Sequence, residues 1–151
     1  MDVAATIDEW FAGSGTEHER VSDSGWLTVL QGERKRTIPV YLELGDHTVV
    51  VESFFMAAPD ERHEEVFRYL LNRNLRTYTL RFALYQSGDV MLVGVLPRHA
   101  VTADELDRTM GQLLAVADDS YWHAIRMGFT GYIEREQAWR SKVGLGRNPI
   151  S

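Results

Sequence analysis

The 151-residue chain contains no cysteine. That absence excludes disulfides, thiolate zinc sites, iron–sulfur clusters and cysteine nucleophiles, and it fits a reducing compartment, so the expected location is the cytoplasm. Long apolar runs are missing too. The longest, around Val90 to Leu96, stops at Pro97 and Arg98, well short of the ~18–20 residues of a membrane span. The amino terminus, Met1-Asp2-Val3-Ala4-Ala5-Thr6-Ile7-Asp8-Glu9, is acidic where a signal peptide needs basic residues, and it lacks that peptide's apolar segment. Positive charge is in deficit: 16 Lys and Arg against 22 Asp and Glu leave a net charge of -6, which opposes approach to a phosphate backbone. The one basic cluster, Arg34-Lys35-Arg36, lies between two strand-like runs and reads as a solvated hairpin turn, so neither nucleic acid nor membrane is an expected partner.

What the chain has is the composition of an ordinary globular domain, 44% apolar and 25% charged. At this length a single core forms without staples. The expected organisation is one domain over 1–127 and a C-terminal extension over 128–151. Val3, Ile7, Trp10 and Phe11 follow a helical period, with Asp2 as N-cap and Gly13 just past the end. From Gly13 to Gly25 the chain reads as a loop. Three β-rich runs follow, Trp26 to Gln31, Thr37 to Leu44 and His47 to Phe55, joined by short turns that force an antiparallel meander. Pro39 implies a free edge or a bulge in the middle run.

Pro59-Asp60-Glu61 opens a second helix, stopped at Asn74, whose buried stripe is Val66, Phe67, Leu70 and Leu71 and which leaves Tyr69 exposed. A hairpin comes next, turning at Gln86-Ser87-Gly88-Asp89 into Val90 to Leu96, a strand apolar on both faces and therefore central. Thr102 with Glu105 marks the capped start of the longest helix, which ends or kinks at Gly128. Beyond it, 131–140 reads as a short helix and 143–151 as a frayed end.

No motif supports an active site. His63-Glu64-Glu65-Val66-Phe67 has a zincin-like opening, but Phe67 stands where the second ligand belongs. Gly13-Ser14-Gly15 has the wrong spacing for a nucleophile elbow, and neither Gly13 with Gly15 nor Gly144 with Gly146 completes a dinucleotide fingerprint. Asp104 with Asp107, Asp118 with Asp119, and Trp122 with His123 read as surface groups without a second catalytic partner. The expectation is no catalytic residue, no metal and no cofactor.

In order, Leu70-Leu71-Asn72-Arg73-Asn74-Leu75 with Tyr78 and Phe82, Gly88-Asp89-Val90 with Leu92-Val93-Gly94 and Pro97, Glu105-Leu106-Asp107 with Gly111, Gly128-Phe129, and Ile133-Glu134-Arg135-Glu136 with Trp139-Arg140 resemble the YbjN-like domain family of bacterial sensory transduction regulators. The resemblance spans about residues 26 to 140, with departures at Asn72 and Gln137. It implies the type III secretion chaperone-like fold: an α+β two-layer sandwich with a five-stranded antiparallel sheet, helices on one face, order α-β-β-β-α-β-β-α, and a short C-terminal helix. It carries over no catalytic residue.

The function these readings favour is a non-enzymatic, cytoplasmic protein-binding domain, a regulator or chaperone-like adaptor. The alternative is a small-ligand sensor or an enzyme with a pocket between helices and sheet. In this fold the sheet's second face keeps apolar side chains from Val49 to Phe55 and Met91 to Val95, which points to a homodimer. Candidate interaction residues are Phe54 and Met91 on that face and Tyr132, Trp139 and Arg140 in the C-terminal helix, which packs either on its own domain or on a partner.

Overall fold

Six strands, not five, form the sheet, and four helices accompany them. The computed structural model describes residues 2–144 and residue 146. The chain runs α1 (Val3–Ser14), β1 (His18–Arg20), β2 (Gly25–Leu30), β3 (Ile38–Leu44), β4 (Thr48–Met56), α2 (His63–Arg73), β5 (Leu80–Leu84), β6 (Val90–Pro97), α3 (Ala103–Gly128) and α4 (Thr130–Lys142). Single 3-10 turns cover Asn74–Arg76 and Arg98–Ala100. Strand order is β1-β2-β3-β4-β6-β5, antiparallel throughout. The unforeseen strand is β1, inside the segment expected to be a loop. His18, Glu19 and Arg20 are all exposed and carry no apolar alternation, so only pairing with β2 makes them a strand.

Local chemistry places most helix ends. The Asp2 carboxylate accepts from the Ala5 N–H at 3.1 Å and the Thr102 hydroxyl from the Glu105 N–H at 3.1 Å, each satisfying an otherwise orphaned donor of the first turn. Gly15, at φ 71°, ends α1 two residues later than expected. The second helix departs more. It opens at His63 rather than Pro59, because the Asp60 and Glu61 N–H groups both donate to the Gly128 carbonyl, at 3.0 and 3.1 Å. Those donors fasten the end of α3 instead of starting a helix. Arg62, at φ 53°, then swings the chain into α2. On α2, Val66 and Leu70 are buried, but Leu71 is 64% exposed. Tyr69, expected outside, is half-buried with its ring 4.3 Å from that of His123.

Alternation divides the sheet into two faces. Val49, Val51, Ser53 and Phe55 of β4, with Val90, Leu92 and Leu96 of β6, turn towards the helices and are buried. Val50, Glu52, Phe54, Met91, Val93 and Val95 lie on the opposite, uncovered face. Pro39 sits in β3 beyond its last register pair with β4, Tyr41 opposite Glu52. The missing N–H therefore costs no ladder bond there, and the Ser53 hydroxyl donates to the Pro39 carbonyl at 2.6 Å. The irregularity of the sheet falls in β4, between Phe54 and Met56.

The C-terminal helix is longer than expected, 13 residues over Thr130–Lys142. Of the tail expected to fray, residues 145 and 147–151 lie outside the described residues.

Candidate functional site

Three surfaces carry unspent chemistry. The first is a groove of about 220 Å³ between α2 and β5, lined by Phe67, Leu70, Leu71, Phe82, Ala83, Leu84 and Val90. A shallower continuation reaches Glu64, Arg68 and Asn72. Leu71 and Leu84, at 64% and 57% exposed, stand on its two walls. The strand beside it is an edge strand, normally a template for pairing with another chain. Here that edge is closed. Asn74 accepts from the Phe82 N–H at 2.7 Å and donates to the Phe82 carbonyl at 3.3 Å, occupying both polar groups of that residue. Before it, Gln112 Oε1 of α3 accepts from the N–H groups of Tyr78, Thr79 and Leu80 at 2.9, 3.0 and 3.3 Å. The opposite edge, β1, is only three residues long and polar.

The second surface is the β2–β3 turn, which is not the solvated turn expected of Arg34-Lys35-Arg36. Lys35 is 8% exposed, with Nζ 4.7 Å from the centroid of the Tyr121 ring and 6.0 Å from that of Phe54. Burial pushes its ammonium below the ordinary lysine range. Arg34 lies 5.8 Å over Trp122. Asp118 Oδ1 accepts from the backbone N–H groups of Arg34 and Lys35 at 2.7 and 2.8 Å. Its desolvation alone would raise the carboxyl, but N–H donation from Lys35, Arg34 and Glu33 and the Arg34 charge hold it below its usual value.

The stability this carboxylate provides is complete above its unfolded-state value and is lost as pH falls through the folded one. Asp118→Asn should therefore cost roughly 1 kcal/mol near neutral pH. The difference from the wild type should shrink as pH falls below the ordinary carboxylate range and vanish once Asp118 is itself protonated in the folded state, in denaturation curves carried into acid. A gap that persisted at low pH would mean the carboxylate charge is irrelevant to the turn.

The third surface is the open face of the sheet. Leu27, Val29, Phe54 and Val95 are 42%, 46%, 40% and 52% exposed on it, interleaved with acids. Tyr41 donates its hydroxyl to Glu43, and Tyr85 to Glu52 at 2.8 Å. Burial, then the bond to Glu52 and its charge, push the Tyr85 phenol up to about 12. Of the sequence-predicted residues, Phe54 and Met91 are brought together as register partners on this face. Tyr132, Trp139 and Arg140 lie on α4 instead. Tyr132 and Trp139 are 55% and 56% exposed, while Ile133 is the residue α4 buries, and Arg140 Nε pairs with Glu136 at 3.0 Å. With its ring half in water, Trp139→Ala should shift the stability of the isolated protein by no more than about 0.5 kcal/mol. A drop of several kcal/mol in thermal or denaturant unfolding would contradict that placement.

Of the acids singled out in the sequence, Asp107 accepts from the Trp10 indole at 2.7 Å and Glu64 pairs with Arg68 at 2.9 Å. Among the described residues no three His, Asp or Glu side chains are grouped to hold a metal ion, and no helix is long and apolar enough to cross a membrane.

Residues 4–126, from α1 through most of α3, match the model of a protein family described as YbjN, a putative bacterial sensory transduction regulator. The chain belongs to the YbjN family. An uncharacterized protein of Mycobacterium tuberculosis is 44% identical over 118 residues, covering 78% of this chain and 64% of that relative. One from Mycobacterium leprae is 38% identical over 121 residues, covering 80% and 66%. The chain thus spans about two thirds of the length of these mycobacterial relatives. In fold, it is similar to a chain of the HopA1–SchA chaperone–effector complex (TM-score 0.59, 15% identity, 75% of this chain and 88% of that one). A chain of the ExsC–ExsE complex matches with a TM-score of 0.56 at 20% identity, covering 77% and 88%. YbjN from E. coli matches with a TM-score of 0.53 at 11% identity, covering 85% and 91%. This YbjN chain has the type III secretion chaperone-like fold, and α4 lies beyond the residues that match the family.

Proposed function

We propose that this chain is a cytoplasmic protein-binding adaptor, regulatory or chaperone-like, that receives apolar anchors of a partner in the α2–β5 groove. The observation that carries the reading is the lining of that groove, in which all seven residues are apolar. A small-molecule site needs a few convergent polar groups to orient its ligand. A protein anchor needs an apolar centre and a polar rim, and Glu64, Arg68 and Asn72 border the groove on one side. With the β5 edge closed at Phe82 and β1 short and polar, side-chain or helical anchors fit better than an added strand. The regulatory description of the family and the chaperone–effector and ExsC–ExsE complexes among the fold neighbours support the same role.

Affinity capture from native lysate, with identification by mass spectrometry, tests the reading. Leu71→Asp and Leu84→Asp change exposed positions and should leave folding within about 0.5 kcal/mol, yet release the captured protein. Capture unchanged by both variants, or a stoichiometric metabolite in native mass spectra, would overturn it in favour of a sensor.

We also infer that a second copy covers the open sheet face. Leu27, Val29, Phe54 and Val95 leave an apolar patch there of a kind uncommon on soluble monomers, and the acids among them are held by tyrosine hydroxyls. Light scattering should give twice the 17.2 kDa of one chain, and Val95→Asp should halve the mass. A one-chain mass at micromolar concentration would count against the dimer.

A further inference from the structure

Lys35 is a buried cation without an ion-pair partner among the described residues. Among the described residues the ion pairs of this protein involve Arg20, Arg62, Arg68, Arg108 and Arg140, and none involves Lys35, Arg34 or Arg36. The carboxylate that α3 sets against the turn, Asp118, accepts from backbone N–H groups rather than from the Lys35 ammonium. What faces Nζ is aromatic: Tyr121 at 4.7 Å and Phe54 at 6.0 Å. Ring faces offset only part of the cost of removing an ammonium from water. Nor is Nζ sealed in, since the side-chain atoms fully buried without a partner are Thr109 Oγ1 and Ser120 Oγ. Beside it stand two further cations, Arg34 over Trp122 and the exposed Arg36. A chain of net charge -6 thus gathers three adjacent cations, two of them over rings from β4 and α3; the Asp118 charge answers Arg34, and among the described residues neither Lys35 nor Arg36 has an ion-pair partner.

We propose that the β2–β3 turn, with Tyr121 and Trp122 of α3, is a docking site for an acidic segment of a partner protein, one of whose carboxylates pairs with the Lys35 ammonium. The inference rests on the adaptor reading and names the chemistry of the partner. Carboxylates fit better than a nucleic acid. Three cations with Asp118 in their midst neutralise few phosphates, and the excess negative charge elsewhere repels a polyanion. An acidic peptide needs only a local match of charge, which steers the encounter and fixes the register.

The chain has two lysines, Lys35 and Lys142, so [13C]lysine labelling gives two Cε signals in which Lys35 reports its own charge. Titration of the intact protein with hexaglutamate should move the Lys35 signal saturably and raise its titration midpoint, because a nearby carboxylate favours the ammonium. The exposed Lys142 should not follow. Arg36→Glu, at an exposed position, should weaken the response at least tenfold while the unfolding curve stays in place.

An unmoved Lys35 signal at millimolar peptide, or parallel shifts of both lysines, overturns the proposal. So does a stronger response to hexathymidylate, which would make the occupant a nucleic acid. A Lys35 signal that changes with protein concentration alone in the Val95→Asp variant, where the open-face dimer is broken, also overturns it, by placing a second copy at the turn. If hexaglutamate fails while Leu71→Asp still releases the captured protein, this inference falls and the adaptor reading stands. A Lys35 response without any effect of Leu71→Asp or Leu84→Asp on capture leaves the reverse.

Discussion

Trp26→Ala should lower stability by roughly 3–5 kcal/mol, a large share of the ~5–15 kcal/mol that holds a domain of this size together. Trp26 lies on β2 with none of its surface exposed and is the largest of the fully buried side chains. Its ring packs into the core, and its indole N–H donates to Asp8 of α1 at 2.8 Å. Asp8 in turn pairs with Arg20 of β1 at 2.8 Å, and the Arg20 guanidinium lies 5.0 Å over the Trp26 ring. One side chain therefore joins α1, β1 and β2. Removing it opens a cavity and also loosens the strand the sheet gains at that edge. Trp26→Phe separates the two effects, since it keeps most of the apolar contact and loses the donor. With Asp8 still paired to Arg20 and partly in water, that variant should cost only about 1–2 kcal/mol. Urea denaturation with both midpoint and slope measured checks the pair. Equal losses for Phe and Ala would mean that the indole bond, not the core volume, carries the effect.

Much of this architecture is legible in the residues because local and global preferences agree. The Asp2 and Thr102 caps, the alternation along β3, and the Gly88-Asp89 turn each state their own structure, and the ladder and helix bonds follow. What escaped is tertiary. Strand β1 exists only because β2 lies beside it. The first residues of the expected second helix are diverted to the Gly128 carbonyl, a partner far along the chain. Asn74 is readable as a helix stop, but not its second use as the clamp on Phe82.

The site divides in the same way. Periodicity marks Phe67, Leu70 and Leu71 as one apolar stripe, yet cannot tell which part of a stripe the sheet covers, so the exposure of Leu71 was out of reach. The groove it borders was equally hidden. A charged triplet between two strands reads as solvated wherever it occurs. The burial of Lys35 depends on Tyr121 and Phe54, contributed by other elements, and on the hold of Asp118 over the turn.

One substitution made at two points of α3 should act with opposite signs. Gly111→Ala changes an exposed position where an added Cβ meets nothing within 4 Å. Alanine there recovers the helix propensity glycine lacks, so stability should rise by roughly 0.5–1 kcal/mol. At buried Gly128 the same methyl group would stand 2.9 Å from Pro59 Cβ and 3.3 Å from Val66 Cγ2. Neither neighbour is the loose end of a long side chain: one belongs to a proline ring and the other to a β-branched residue on α2. Relief must come from moving backbone, and the backbone in question is fastened. Asp60 and Glu61 donate to the Gly128 carbonyl, and Glu61 Oε1 accepts from the Gly131 N–H at 2.7 Å. Separating α3 from the 59–62 segment strains these bonds and the entry to α2. Gly128→Ala should therefore cost roughly 1–3 kcal/mol, the range for overpacking, with any propensity gain already overwhelmed. Because α2 forms one wall of the groove, the variant should also weaken partner capture, whereas Gly111→Ala should leave it unchanged. Thermal unfolding of the two variants side by side decides the matter. Stabilisation by both would show that the junction yields to the added methyl group and that Gly128 is not a packing requirement.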